Sequence, residues 1–248
     1  MNIRYINRKI NAIFWDFDGT LVDTRMKNLQ VTLMILKSVS DQKIDHIPVL
    51  QSIEFYDKAL RYTLNWRTFY REELGMSEEQ IAQAGQLWTE FQLKDKTPTP
   101  IFEGISSVIE KFGDIPQGII SQNSRRAIYN ALEGAGISHY FDVIVGYEEV
   151  GLNLQKPAPQ GMIIGLDKIV LEPDSLILFI GDHETDVLFV KNANKVLQER
   201  DKIFKVLCIG ALYGYDKELE KWRYRPDYSA YTVRELISIM EKIDNAGR

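Results

Sequence analysis

Two aspartates follow an apolar run near the start of the chain. The run extends from Ile10 to Trp15, and Asp16 and Asp18 come directly after it, before Gly19. A nearly continuous apolar run of this length is typical of a parallel strand that is covered on both faces. Because alternate residues share one face of a strand, both carboxylates could act at one spot as nucleophile, acid or base. This stretch alone fits equally well with an Asx-type turn after a strand.

A second apolar run ends at Ile120 and is followed by Ser121, Gln122 and Asn123. Ligands of an open parallel sheet bind outside the carboxyl ends of its strands, so these residues should lie near the two aspartates. Backbone N–H groups near Asn123 and Ser124, at the start of a predicted helix, could add hydrogen-bond donors there. Taken by itself, Ser121 is more often a turn or helix-cap residue.

Further polar residues follow the later predicted strands. Asp182 and Asp186 come after an apolar run that ends at Ile180, and Lys156 lies in the loop after a predicted strand at 141–145. Each has a simpler interpretation, because Lys156 could be a solvated surface charge and the two acids a turn and the first turn of a helix. Their order along the chain and their common position after strands favour a single site.

Four carboxylates and one lysine at one point would repel each other unless a cation were bound. Magnesium is the natural cation, since it takes oxygen ligands and pairs one or two carboxylates with a substrate phosphate. Phosphoryl transfer then needs a nucleophile, a proton carrier and fixed positive charge, for which Asp16, Asp18 and Lys156 with Ser121 are the candidates. His183 stays unassigned, because histidines at 46, 139 and 183 show no zinc-site spacing.

Composition narrows the class of protein. The chain has 248 residues, 45% hydrophobic and 26% charged, with a formal charge of -5. This balance favours neither nucleic acid nor an anionic membrane as a partner. The single cysteine, Cys208, lies in an apolar run and should be a buried thiol. We find no export signal and no apolar stretch of membrane-spanning length, so we expect a soluble, cytoplasmic protein.

The pattern along the chain predicts an α/β fold with an inserted helical domain. Residues 25–97 are polar and rich in helix formers, whereas 1–24 and 98–248 should form a Rossmann-like parallel sheet with helices on both faces. In the insertion, apolar residues from Ile53 to Leu64 predict one helix closed by Gly75. Ser77 and Gln80 predict a capping box for the next helix. Aromatic residues are dense here and should be core, namely Phe55, Tyr56, Tyr62, Trp66, Phe69, Tyr70, Trp88 and Phe91.

Helices and strands should alternate after Pro100. We interpret 213–231 as loop, and Thr232 with Glu235 predicts the cap of the last helix. The predicted strands are 117–121, 141–145, 176–180 and 204–209, and the predicted helices are 104–112, 124–133, 159–166 and 184–198.

The ordered motifs resemble those of the haloacid dehalogenase-like hydrolase superfamily. The resemblance rests on Asp16-Phe17-Asp18-Gly19-Thr20, Ser121 after an apolar strand, Lys156-Pro157, and Gly181-Asp182 through Asp186. It extends from about Ile10 to the last helix. A helical insertion directly after the first motif resembles the phosphoglycolate phosphatase-like branch, in which it forms a mobile cap over the active site.

The resemblance implies a phosphatase that forms a phospho-aspartyl intermediate on Asp16. It also implies that Asp18 protonates the leaving group and then activates water. The phosphate-binding residues would be Ser121, Gln122, Asn123 and Lys156, and Mg²⁺ would be held by Asp16, the Asp18 backbone carbonyl and Asp182, with Asp186 in support. The expected substrate is a small phosphorylated metabolite, and the protein should be a monomer or a homodimer.

Other activities of this fold stay open. A dehalogenase is disfavoured, because family members with that activity lack an acid at the position of Asp18. A phosphomutase, or a phosphonate hydrolase that uses a cap lysine, is an alternative, and so is a non-catalytic sensor of phosphometabolites. The long segment 192–204 and a cap without a recognisable substrate signature are departures from the family pattern.

Overall fold

The computed structural model describes residues 9–63, 65–151, 153–199, 204–214 and 218–246. The chain divides into two compact units. The first combines Met1–Val22 with Ile101–Arg248, and the second is Asp23–Pro100. The insertion predicted at 25–97 therefore lies within the second unit.

In the described residues of the inserted unit, four α-helices and two short 3-10 helices surround a separate apolar cluster. Ser77 and Gln80 form the predicted capping box, in which the Ser77 hydroxyl accepts from the Gln80 N–H and the Gln80 side chain accepts from the Ser77 N–H. Such reciprocal bonds satisfy backbone donors that a helix start leaves open. The helices are α1 (Arg25–Val39), α2 (Ile53–Tyr62), α3 (Trp66–Glu72) and α4 (Glu78–Lys94).

The prediction of one helix closed by Gly75 is wrong. The chain leaves α2 after Tyr62 and starts α3 at Trp66, because the Asn65 side chain accepts from the Thr68 N–H and caps a new helix. Gly75 adopts a left-handed φ of 64°, but it lies beyond the end of α3 at Glu72. Leu64, which belonged to the predicted helix face, lies outside the described residues.

The core interpretation of the aromatic residues in the insertion holds only in part. Tyr56, Phe69 and Tyr70 are fully buried. Phe55 and Tyr62 are 58% and 54% exposed, so they are not core residues. The two exposed rings belong to α2, an amphipathic helix whose other face carries Tyr56 into the cluster.

The first unit contains one parallel sheet of six strands in the order β3-β2-β1-β4-β5-β6. The central strands are apolar and buried on both sides, which explains their unbroken hydrophobic runs. The strands are β1 (Ile10–Trp15), β2 (Gln117–Ile120), β3 (Val143–Val145), β4 (Leu176–Gly181), β5 (Lys205–Ala211) and β6 (Tyr228–Ala230).

Two apolar clusters cover the two faces of this sheet. Ile13 and Trp15 of β1 belong to one cluster, and Ala12 and Phe14 belong to the other. Apolar residues from three helices complete the first cluster and residues from two more complete the second, as an α/β fold requires. The helices of this unit are α5 (Ile105–Lys111), α6 (Arg125–Gly134), α7 (Tyr147–Val150), α8 (Gln160–Asp167), α9 (Glu184–Gln198) and α10 (Val233–Asn245).

The structure corrects the interpretation of 213–231 as loop. This region contains the edge strand β6, which pairs with β5 on one side, and a short 3-10 helix at Leu219–Lys221. A three-residue edge strand leaves no alternating pattern for sequence analysis to detect. In 192–204, α9 continues to Gln198, and 200–203 lie outside the described residues.

Four smaller predictions, on one strand, the cysteine, the last helix cap and membrane-spanning segments, can be compared with the structure. The strand predicted from residue 141 begins at Val143. Cys208 is buried in β5, as predicted. The Thr232 hydroxyl caps α10 by accepting from the Glu235 N–H. Within the described residues, no helix is long and apolar enough to cross a membrane.

Candidate active site

The register of the central strands brings the predicted site residues to one edge of the sheet. Trp15 pairs with Ile119 on one side and with Ile180 on the other, so β1, β2 and β4 end nearly level. The Asp16 N–H donates to the Ile180 carbonyl at 2.8 Å, which extends the strand pairing by one residue. Residues that follow these strands therefore start from neighbouring backbone positions, as an open α/β sheet predicts.

Lys156 joins two of the aspartates. Its Nζ lies 2.5 Å from Asp16 Oδ1 and 2.6 Å from Asp186 Oδ1. The side chain of Lys156 is only 6% exposed, so the interpretation as a solvated surface charge is excluded. Gln122 Nε2 donates to the Lys156 carbonyl at 3.3 Å, and Asn192 Nδ2 donates to the Pro157 carbonyl at 2.9 Å. These bonds fix the loop that carries the lysine.

Asp182 completes a cluster of three carboxylates. Asp16, Asp182 and Asp186 each offer an oxygen, and these atoms all lie within 4.8 Å of one another. Thr20 Oγ1 lies 3.5 Å from Asp182 Oδ1. The single charge of Lys156 cannot balance three carboxylates, and hard oxygen ligands at this spacing fit a divalent cation such as Mg²⁺.

Burial and crowding of like charges change the pKa values in this cluster. Burial, together with Asp186 and Asp18, raises the pKa of Asp16 to about 7, although Lys156 opposes the rise. Burial, Asp16 and Asp186 raise the pKa of Asp182 well above its usual range. Burial would lower the pKa of Lys156, but Asp16 and Asp186 outweigh it and raise that pKa. The lysine is therefore charged, and the carboxylates lack compensating charge.

The start of α9 orients Asp186. The Asp186 carboxylate uses Oδ2 to accept from the His183 N–H at 3.2 Å and Oδ1 to accept from Lys156. His183 is the N-cap of this helix, since its Nδ1 accepts from the Thr185 N–H at 3.2 Å. A Cβ atom at Gly181 would lie 2.5 Å from the Asp186 carboxyl group, so only glycine fits there. Sequence analysis left His183 unassigned, and the structure makes it a helix cap.

Asp18 contacts a side chain from the next strand. Asn123 Nδ2 donates to Asp18 Oδ2 at 2.5 Å, and Asn123 is 5% exposed. Ser121 Oγ accepts from the Asn123 N–H at 3.2 Å, which is the local turn bond expected of a serine in that position. The first turn after β2 thus holds an amide against the second aspartate of the first motif.

Tyr213 contacts the backbone of the first motif, and sequence analysis did not identify it as a neighbour of the site. Its hydroxyl donates to the Thr20 carbonyl at 2.9 Å. Burial, Asp182 and Asp16 raise the pKa of Tyr213 well above its usual range, so the phenol stays neutral. A Cβ atom on the next residue, Gly214, would lie 2.3 Å from the Gly19 carbonyl oxygen. The Tyr-Gly pair directly after the β5 region was the available signal, because glycine often marks a close backbone approach.

Comparison with known proteins decides the family. A family model described as haloacid dehalogenase-like hydrolase matches residues 13–196. This chain belongs to that family. It is 24% identical to pyrophosphatase PpaX of Listeria monocytogenes serotype 4a over 241 residues, covering 94% of this chain and 97% of the relative. It is 25% identical to phosphoglycolate phosphatase of Yersinia pestis over 213 residues, covering 84% of each chain.

Solved structures support the same fold. A haloacid dehalogenase-like family hydrolase from Streptococcus pneumoniae has a TM-score of 0.67 and 19% identity, over 93% of this chain and 98% of that one. The protein is therefore a haloacid dehalogenase-like hydrolase with an α/β core, and the recognition made from its motifs is confirmed. The curated relatives it resembles are named as phosphatases.

The family motifs meet at one edge of the sheet. Asp16, Asp182, Asp186 and Lys156 are in mutual contact or within ligand distance, as predicted for a single site. Asp18 belongs to the same region of the protein, because it follows Asp16 by two residues in the chain. The predicted phosphate-binding residues are close by but have protein partners, because Ser121 closes a turn and the Gln122 and Asn123 side chains bond to Lys156 and Asp18.

Proposed function

We propose that this protein is a Mg²⁺-dependent phosphatase that hydrolyses a small phosphomonoester through a phospho-aspartyl intermediate on Asp16. The observation that carries the proposal is the charge balance of the cluster. Three carboxylates whose oxygens lie within 4.8 Å share one lysine. Such a cluster can accept a phosphate dianion only if further positive charge is bound, and Mg²⁺ supplies it by neutralising carboxylate and phosphate oxygens together.

Asp16 is the nucleophile of the proposed reaction. One of its carboxylate oxygens forms a bond to phosphorus while the bond from phosphorus to the leaving oxygen breaks. Lys156 donates to Asp16 Oδ1 at 2.5 Å and thereby fixes the orientation of the carboxylate. Its charge also favours the ionised, nucleophilic form of Asp16 against the effect of burial. The aspartates Asp16, Asp182 and Asp186 are the candidate ligands of the metal, with the Asp18 backbone carbonyl as the predicted fourth group.

Asp18 is the proton carrier. It gives its proton to the leaving oxygen in the first step and takes a proton from water in the second, in which the water oxygen attacks phosphorus and frees Asp16. Phosphate is released with the proton balance restored. Of the predicted phosphate-binding residues, Ser121, Gln122 and Lys156 are retained for that role, to which the backbone donors at the start of α6 would add.

A small substrate is the second part of the proposal. The relatives are named for pyrophosphate and phosphoglycolate, which are both small anions. The formal charge of -5 gives no general attraction for nucleic acid. We further propose that the inserted unit 25–97 acts as a cap that restricts access to compact substrates, and that the protein works in the cytoplasm as a monomer or homodimer.

A phosphonate hydrolase would need a reactive lysine from the insertion. Lys27 Nζ instead donates to the Asp95 carbonyl at 2.9 Å and lies 3.8 Å from its carboxylate, and Lys94 pairs with Glu90. Two lysines of the insertion are thus engaged by neighbouring groups, so this alternative would need another lysine of the insertion.

The test is a screen of purified protein against small phosphate esters, pyrophosphate and a phosphopeptide, with Mg²⁺ or with excess chelator. We expect hydrolysis of small esters that needs Mg²⁺, and kcat/KM values for them that exceed the value for the phosphopeptide. Full activity in chelator would overturn the metal requirement. Hydrolysis of pyrophosphate alone would replace the phosphomonoester substrate by a phosphoanhydride.

A further inference from the structure

The amide of Asn123 faces the proposed proton carrier, Asp18. Its Nδ2 lies 2.5 Å from Asp18 Oδ2, and 105 positions separate the two residues in sequence. Nδ2 is the donor in this contact, since an ionised carboxylate can only accept hydrogen bonds. The bond is charge-assisted when Asp18 is ionised and weaker when Asp18 is protonated, because bonds to an ionised group are stronger than bonds between neutral groups.

Asn123 is held in place by the protein around it. It is 5% exposed, its N–H donates to Ser121 Oγ, and its carbonyl accepts from the Tyr147 N–H at 3.0 Å. The next residue, Ser124, caps α6 by accepting from the Ala127 N–H. The ends of β2 and β3 therefore fix this residue from two sides.

Close packing at Gly146 adds to this restraint. A Cβ atom there would lie 2.8 Å from the Asn123 carbonyl oxygen and 2.6 Å from the Arg125 backbone nitrogen. Even a methyl group at 146 would thus push the Asn123 backbone away from its present position. The amide is presented to Asp18 from a rigid support, as a group that orients a reacting side chain should be.

We propose that Asn123 is a positioning residue that orients Asp18 for proton transfer, rather than a ligand of the substrate phosphate. This inference rests on the proposed phosphatase function. The amide occupies Oδ2, which assigns Oδ1 as the oxygen that carries the proton to the leaving group. As that proton departs, charge grows on the carboxylate and the bond from Asn123 strengthens, so the amide stabilises the transition state of this step.

Substrates with different leaving groups distinguish a residue that positions Asp18 from one that binds the phosphate group. Phenyl phosphate and para-nitrophenyl phosphate have nearly the same shape, but only the phenolate of the first needs much protonation as it leaves. The ratio of their kcat/KM values therefore reports proton donation in the first chemical step. Inhibition by inorganic phosphate reports phosphate binding separately.

We expect Asn123→Ala to lower kcat/KM for phenyl phosphate about 10-fold more than for para-nitrophenyl phosphate, the size of effect that one lost charge-assisted hydrogen bond produces. The inhibition constant of inorganic phosphate should change less than about two-fold, because no phosphate contact is removed. Asn123→Leu keeps roughly the same size but removes the donor without adding a charge, and it should show the same pattern. The control is Asn130→Ala, which changes an exposed residue of α6.

A double variant makes the test specific. Asp18→Asn removes the proton carrier, so adding Asn123→Ala to it should not change the ratio of the two esters further. Equal losses on both esters, with or without weaker phosphate inhibition, would overturn the positioning role, and so would wild-type rates in a folded Asn123→Leu protein. A wild type that hydrolyses neither ester would overturn the proposed function itself, whereas an active wild type with equal losses in the variants overturns this inference alone.

Discussion

The two units of this protein bury polar groups in opposite ways. In the α/β unit, Asp16, Asp182 and Asp186 surround the single cation of Lys156. In the inserted unit, the buried Thr32 hydroxyl bonds to the hydroxyls of Tyr56 at 2.9 Å and Tyr70 at 3.3 Å, and no charge is involved.

The buried carboxylate of the inserted unit has a partner of opposite charge. Asp57, which is 6% exposed, pairs with Arg61 at 2.8 Å on the same helix. Buried polar groups that satisfy each other add order to a core, whereas uncompensated charges lower stability unless a ligand compensates them. This contrast is the one expected if the charge imbalance of the α/β unit serves the proposed binding and catalysis, and the predictions below test it.

The largest expected effect is on catalysis. Asp16→Asn should lower kcat on an aryl phosphate by at least about 10³-fold, because an amide of the same shape cannot attack phosphorus. The measurement is steady-state hydrolysis, with folding checked by circular dichroism. Asp114→Asn, an exposed change before β2, is the matched control and should keep wild-type rates. A folded Asp16→Asn protein with high activity would mean that water attacks directly.

The second prediction concerns how the stability of the metal-free protein depends on pH. The pKa of Asp16 is raised to about 7 in the folded protein, so the native state binds more protons than the unfolded state between about pH 4 and 7. Stability of the metal-free protein should therefore fall as pH rises through this window, and Mg²⁺ should restore it above pH 7. Thermal unfolding across pH, with and without Mg²⁺, measures both trends.

A variant of Asp182 sharpens this test. Asp182 also has a raised pKa from burial and from Asp16, so Asp182→Asn removes a repulsive charge. We expect it to raise Tm of the metal-free protein at pH 8 by roughly 2–4 °C, as about 1 kcal/mol does in a chain of this size. The same change should abolish stabilisation by Mg²⁺. An unchanged Tm increase on adding Mg²⁺ would contradict this ligand assignment.

A substitution in the core of the inserted unit should have the smallest effect on catalysis. Thr32→Val removes the hydroxyl that bonds to the buried Tyr56 and Tyr70 and should destabilise this unit by about 1–3 kcal/mol. The kcat for an aryl phosphate should change less than about two-fold, because no buried charge is altered. Hydrogen exchange of α1 measures the first effect, and Ser38→Ala, an exposed change on the same helix, is the control. Unchanged exchange protection of α1 would contradict the stabilising role of this hydroxyl network.

Sequence analysis recovered the parts of the fold that follow from local rules. The buried strands are long apolar runs, so the ends that carry Asp16 and Asp182 were placed correctly. Ser77 was correctly predicted to begin a helix, because it forms a capping box with Gln80. In contrast, β6 has three residues and one neighbour, and the break between α2 and α3 depends on one side-chain cap at Asn65. Such features produce no periodic signal.

The grouping of these residues at one edge of the sheet was predictable, but their contacts were not. Motif order indicated Lys156, yet its bridge between Asp16 and Asp186 depends on the loop that Asn192 and Gln122 hold. The bond from Asn123 to Asp18 joins residues 105 positions apart, and only the register of β1 with β2 brings them together. Contacts of this kind require the tertiary structure.

Trapping of the phospho-aspartyl intermediate is the decisive test of the proposed role of Asp16 as nucleophile. Protein mixed with substrate and Mg²⁺ should be quenched in acid during turnover, digested and examined by mass spectrometry. We expect one phosphoryl group on the peptide that contains Asp16, more of it in Asp18→Asn because water activation is slowed, and none in Asp16→Asn. Turnover by the wild type without phosphate on that peptide in either the wild type or Asp18→Asn would contradict the phospho-aspartyl mechanism.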